Sequence, residues 1–75
     1  MVGTEEVMDM DARRKAFGKR VSALKDKLLA TDTEMAPLFG VKRLQITRWR
    51  LGMAAPRYSN QRTLERLERL HGLRD

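Results

Sequence analysis

Residues 42–50 read KRLQITRWR, four cations, a glutamine and a threonine interleaved with Leu44, Ile46 and Trp49. If Ile46 and Trp49 face a core, helical geometry turns Lys42, Arg43, Leu44, Thr47 and Arg48 outward. This outward set carries chemistry suited to the edges of base pairs. Arg43 or Arg48 can donate two parallel hydrogen bonds to O6 and N7 of a guanine, a contact worth about 1–3 kcal/mol of discrimination. Leu44 and the methyl group of Thr47 suit thymine methyls, while Gln45 can bond a phosphate or an adenine, with phosphate the better fit. Further phosphate contacts fall to the rim: the amides near Thr33, and Arg50 and Arg57 on either side of the following loop.

Such a set needs a rigid support, and residues 32–51 contain one. Ala36 stands four positions before Gly40, and Met35, Phe39, Val41, Ile46 and Trp49 supply apolar filling. Gly40 can adopt the left-handed conformation that ends a helix, and Ala36 permits a close approach of the next one. The pattern predicts two short helices meeting at a tight turn. The second spans about residues 42–51 and stops at Gly52, with 53–58 a loop containing Pro56. The first opens on Thr31-Asp32-Thr33-Glu34, a capping box, but Pro37 strains that start and favours a slip to Thr33.

Two more helices complete an all-α domain. Phe17, Val21, Leu24 and Leu28 share one face of a helix over about residues 11–29, with Gly18 implying a close packing partner. A last helix, about 60–71, has Asn60 as its N-cap and Gly72 as its stop. Its stripe is Leu64, Leu67 and Leu70, and its solvated face is Arg62, Glu65, Arg66, Glu68 and Arg69. Residues 1–10 lack a sustained period and read as a flexible acidic segment, leaving one domain over 11–75.

Charge is unevenly placed. Residues 1–12 hold Glu5, Glu6, Asp9 and Asp11 and no base, so the 16 bases and 6 remaining acids fall on residues 13–75. That surplus favours a polyanionic partner. With no cysteine, disulfides are excluded, and a single histidine argues against zinc or haem. No cofactor is implied. No Ser/His/Asp set or carboxylate pair has a supporting pocket, so the chain reads as a binding protein rather than an enzyme. The absence of a membrane-length apolar run or a signal-like segment gives the expectation of a soluble, cytoplasmic protein without membrane contact.

Residues 17–52, FGKRVSALKDKLLATDTEMAPLFGVKRLQITRWRLG, resemble the Xre-type (phage Cro and repressor-like) DNA-binding family. The resemblance rests on Arg20, the Ala36/Gly40 spacing, Ile46 and Gly52, and continues through Pro56-Arg57 into the leucine-striped helix. GVKRLQITRW is also similar to the lambda CII-type activators. Departures are Pro37, where a helix former is usual, and Leu29, where a glycine is common. The resemblance implies a compact four- to five-helix lambda-repressor-like fold containing a helix-turn-helix, with base-reading residues on the outward face of the second helix.

The leading expectation is therefore a sequence-specific regulator of transcription, phage- or plasmid-like, bound to double-stranded DNA. One short recognition helix touches few base pairs, so useful specificity calls for a homodimer on an inverted repeat. The seam expected is Leu64, Leu67, Leu70 and Leu73, against the plainer role of closing the monomer core. The alternative is a protein-interaction module, antitoxin-like or a packaging adaptor. Trp49 reads as a core anchor, and His71 as a helix-end residue.

Overall fold

The computed structural model describes residues 2–74, with side chains from Met10 onward. The chain forms four helices, α1 (Val2–Leu28), α2 (Asp32–Phe39), α3 (Arg43–Arg50) and α4 (Tyr58–Leu70), and no strand occurs among the described residues. α1 begins at Val2 rather than near residue 11. Its first turns show no apolar period in the sequence, and among the described side chains the core-facing stripe begins at Phe17.

The end of α1 departs from ordinary helix chemistry. Leu29 takes φ 53°, and its N–H donates to Asp26 O at 3.2 Å while that of Ala30 donates to Lys25 O at 3.0 Å. This pair of bonds closes a helix in the manner usually given to glycine. Leucine does it here at a steric cost, the residue being 92% exposed.

α2 keeps the capping box. Glu34 N–H donates to Thr31 Oγ1 at 3.2 Å, and Thr31 N–H donates to Glu34 Oε1 at 2.9 Å. The expected slip to Thr33 does not happen, and Pro37 lies inside the helix. Pro37 has no N–H for the Thr33 carbonyl, but both residues are exposed, where water can serve that carbonyl. Gly40 then closes α2 at φ 66°, with Val41 N–H donating to Ala36 O at 3.1 Å. α4 starts two residues before its expected N-cap, at Tyr58. Asn60 acts from inside the helix instead, its Oδ1 accepting from Arg57 N–H at 3.2 Å.

Phe17, Val21 and Leu24 of α1, Met35, Ala36 and Phe39 of α2, Ile46 and Trp49 of α3, and Leu64 of α4 form one core. Trp49 is 1% exposed and meets Phe17 and Phe39 edge-to-face, at centroid distances of 5.2 and 5.5 Å. Among the described residues its indole N–H has no hydrogen-bond partner. Gly18 explains the tight α1–α3 crossing: a Cβ built there would stand 2.2 Å from the Trp49 carbonyl oxygen.

α4 divides the leucine stripe between the two roles left open for it and corrects one expectation. Leu64 is fully buried and Leu67, half-buried, packs against the core, so these two close the monomer, whereas Leu70 is 72% exposed and Leu73 is also exposed. Glu68 does not join the solvated face but is 6% exposed. It lies one turn beyond Leu64 and therefore on the same inward side. Burial is tolerated because Arg20 approaches as a fork, Nε to Oε2 at 3.0 Å and Nη2 to Oε1 at 2.6 Å, with Arg74 Nη1 at 3.3 Å from Oε1. The hydrogen bond from Arg20 is the main reason the Glu68 carboxyl sits below its ordinary pKa, against the opposing effect of burial. Among the described residues no helix is long and apolar enough to cross a membrane.

Candidate nucleic-acid interface

α3 is anchored by Ile46 and Trp49, and that anchoring fixes which residues face out. At about 100° per residue, Arg43, Thr47, Leu44 and Arg48 occupy the arc opposite the core. Arg43, Leu44 and Arg48 are exposed, as is Lys42, the residue that begins the helix. Among the described residues no side chain caps the α3 N-terminus, so its first amides add positive potential beside Lys42 and Arg43. Gln45 is half-buried on the flank.

The outward arc has two unlike sides. Toward α4 it opens into a groove of about 500 Å³. Lys42, Leu44, Gln45 and Arg48 line it from α3 and its start, and Arg57 with Ser59 from the start of α4. Five of the side chains expected to touch bases or phosphates therefore meet in one concavity. Arg57 reaches it because Pro56 and the Asn60 cap fix the chain where α4 begins.

Toward α2 the arc is closed by a carboxylate. Asp32, the first residue of α2, accepts from Arg50 Nε at 2.7 Å on Oδ1 and from Arg50 Nη2 at 2.6 Å on Oδ2. The Thr47 hydroxyl donates to the same Oδ2 at 2.7 Å. The hydrogen bond from Arg50 chiefly holds the Asp32 carboxyl below its ordinary pKa, burial opposes it, and Thr47 adds to it. Arg50 is raised in turn by Asp32. Two residues expected at a DNA surface are thus engaged inside the protein. Thr33 is exposed on the next position of α2 and stays free of this cluster.

Asp32 and Glu68 are the residues that sequence reasoning missed. Each meets its arginine across a gap in sequence too long for any local pattern, 18 and 48 residues respectively. For Glu68 a signal existed in its spacing from Leu64; for Asp32 only the α2–α3 crossing supplies one. Compared with known proteins, the chain matches no family model, no curated protein and no solved structure.

Proposed function

We propose that the chain is a helix-turn-helix DNA-binding protein of lambda-repressor-like fold, a cytoplasmic, phage- or plasmid-like transcription regulator. In this reading α2 and α3 form the helix-turn-helix and α3 enters the major groove. The observation that carries the proposal is the shared groove: Lys42, Leu44, Gln45, Arg48 and Arg57 converge on the exposed side of a helix whose other side is locked into the core. Arg43 and Arg48 read guanine, Leu44 meets thymine methyl groups, and Lys42 works at the groove edge. Arg57, Gln45 and the amides near Thr33 hold phosphates and set the register.

One α3 of eight residues spans too few base pairs for tight specific binding. The protein therefore acts as a homodimer on an inverted repeat, its recognition helices about 34 Å apart. Leu70 and Leu73, the exposed end of the leucine stripe, form the seam. Two side chains bury little area, so the dimer assembles on the operator rather than in advance of it.

Selection of bound duplexes from random DNA, followed by salt titration on the selected site, tests the proposal. Arg43→Ala and Arg48→Ala should each relax preference at one base pair per half-site. Arg57→Ala should weaken all sequences alike and lower the salt slope by roughly one. Equal losses on selected and random DNA from all three variants would remove the base-reading role.

A further inference from the structure

The Asp32 cluster has the composition of an anion site already filled. A guanidinium fork and a hydroxyl converge on two carboxylate oxygens at 2.6–2.7 Å, beside the exposed arc of α3. Both partners are sheltered, Arg50 with 28% and Asp32 with 15% of the side chain exposed. A DNA phosphate would need the same donors, and the carboxylate holds them within the same chain. Arg50 follows Trp49 and lies one helical turn after Ile46, the two residues that α3 buries.

We infer that Asp32 is a positioning residue that takes Arg50 and the Thr47 hydroxyl out of the DNA-contacting set and fixes the angle of α3 against α2. This inference rests on the DNA-binding reading above. Arg50 is then not a phosphate contact, although its position beside the loop marks it as one. Its function is to hold Arg43, Leu44 and Arg48 in register with the bases. The carboxylate has a second effect: it cancels the Arg50 charge near the duplex and so removes one cation from non-specific binding, which depends almost wholly on phosphate neutralisation. Asp32 thereby favours discrimination over affinity.

A phosphate contact and a positioning contact leave opposite signatures. Removal of a phosphate contact lowers affinity for every sequence and reduces the slope of log K against log salt by about 0.9. Removal of a positioning contact lowers the ratio of specific to random binding and leaves the slope alone.

The experiment measures salt slopes and specificity ratios for the wild-type chain, Arg50→Ala and Asp32→Asn, with urea unfolding of each. Arg50→Ala is expected to keep the wild-type slope, to bind every duplex somewhat more weakly because the Asp32 charge is left unpaired, and to lose about tenfold in its specificity ratio, the size of one lost base contact. Asp32→Asn, which frees the guanidinium and removes a negative charge, is expected to steepen the slope by up to about 0.9 and to raise affinity for random DNA. If Arg50→Ala unfolds, Arg50→Met keeps the packed stem and carries the same comparison. A slope reduced by about 0.9 in Arg50→Ala, or one unchanged in Asp32→Asn, overturns the inference while leaving the proposed function intact. A wild-type protein without salt-dependent affinity for duplex DNA overturns both.

Discussion

Gly18→Ala should unfold much of the advantage that α1 gains from packing on α3. In an isolated helix the change stabilises by up to about 1 kcal/mol, since alanine is the better helix former. Here the new Cβ would lie 2.2 Å from the Trp49 carbonyl oxygen and 3.2 Å from that of Arg50. Both obstacles are backbone, so no rotamer change relieves them, and α3 must move away by about 1 Å. Overpacking of this kind costs typically 1–3 kcal/mol, and a backbone obstacle puts the cost at or beyond the upper end. The net loss expected is about 2 kcal/mol. A chain of 75 residues has roughly 4–11 kcal/mol to lose, so the effect is large. With a urea dependence of about 1 kcal/mol per molar for so small a domain, the midpoint should fall by about 2 M. Trp49 fluorescence and far-UV circular dichroism both read the transition. Ala16→Gly, at an exposed site on the same helix, is the control and should cost only the usual propensity difference of about 1 kcal/mol. A Gly18→Ala midpoint at or above wild type would show that the two helices do not cross so closely.

Leu29→Gly should stabilise the fold by about 1 kcal/mol, because it relieves a left-handed leucine whose side chain is already in water; a lower urea midpoint would contradict that account. Arg20→Ala should cost about 2 kcal/mol, less than a fully buried pair because 35% of the Arg20 side chain is exposed, and Arg20→Ala/Glu68→Leu should recover most of it in the same urea assay. Asp32 and Glu68 both have folded pKa values below their unfolded ones, so their stabilisation is complete above the ordinary carboxylate range near 4 and drains away as pH falls through it. Urea midpoints taken from about pH 6 down to pH 2 should therefore drop, and more shallowly in Asp32→Asn/Glu68→Gln. Leu70→Glu should leave monomer stability unchanged and prevent two copies from occupying a palindromic duplex, as judged by light scattering of the complex.

What could be read from the sequence follows a physical division. Apolar periodicity reports which side of a helix meets the core, and it located Phe17, Val21, Leu24, Met35, Ile46, Trp49 and Leu64 correctly. Gly18 was also legible, since a glycine within a strong helical pattern calls for a neighbour that forbids a Cβ. Helix ends were less so: α1 and α4 both begin earlier than their patterns, because a helix can run past its last core contact at little cost. Leu29 does not show its role by residue type, as nothing in a leucine announces a left-handed turn; only the resemblance, in which a glycine is common there, marks the position.

Cations were the hardest to read, for a reason that bears on any basic domain of this size. A charge count treats every arginine as offered to solvent, yet Arg20 and Arg50 are each forked onto a carboxylate from another helix. Their charge still enters the net field, which decays over roughly 10 Å at moderate salt and can steer a polyanion toward the domain. Their hydrogen-bonding forks, however, are occupied. Long-range attraction therefore scales with the surplus counted from sequence, while in the proposed DNA-binding reading the contacts that position a duplex scale with the smaller set left open. On α3 that set is Arg43 and Arg48, with Lys42 before them and Arg57 across the groove. The two exclusions also have a structural effect, because Arg50 held on Asp32 and Arg20 held on Glu68 tie α3 to α2 and α4 to α1. The core anchors Ile46, Trp49 and Leu64 hold the helices together, and in the proposed DNA-binding reading the two ion pairs refine the angle that discrimination between base pairs requires.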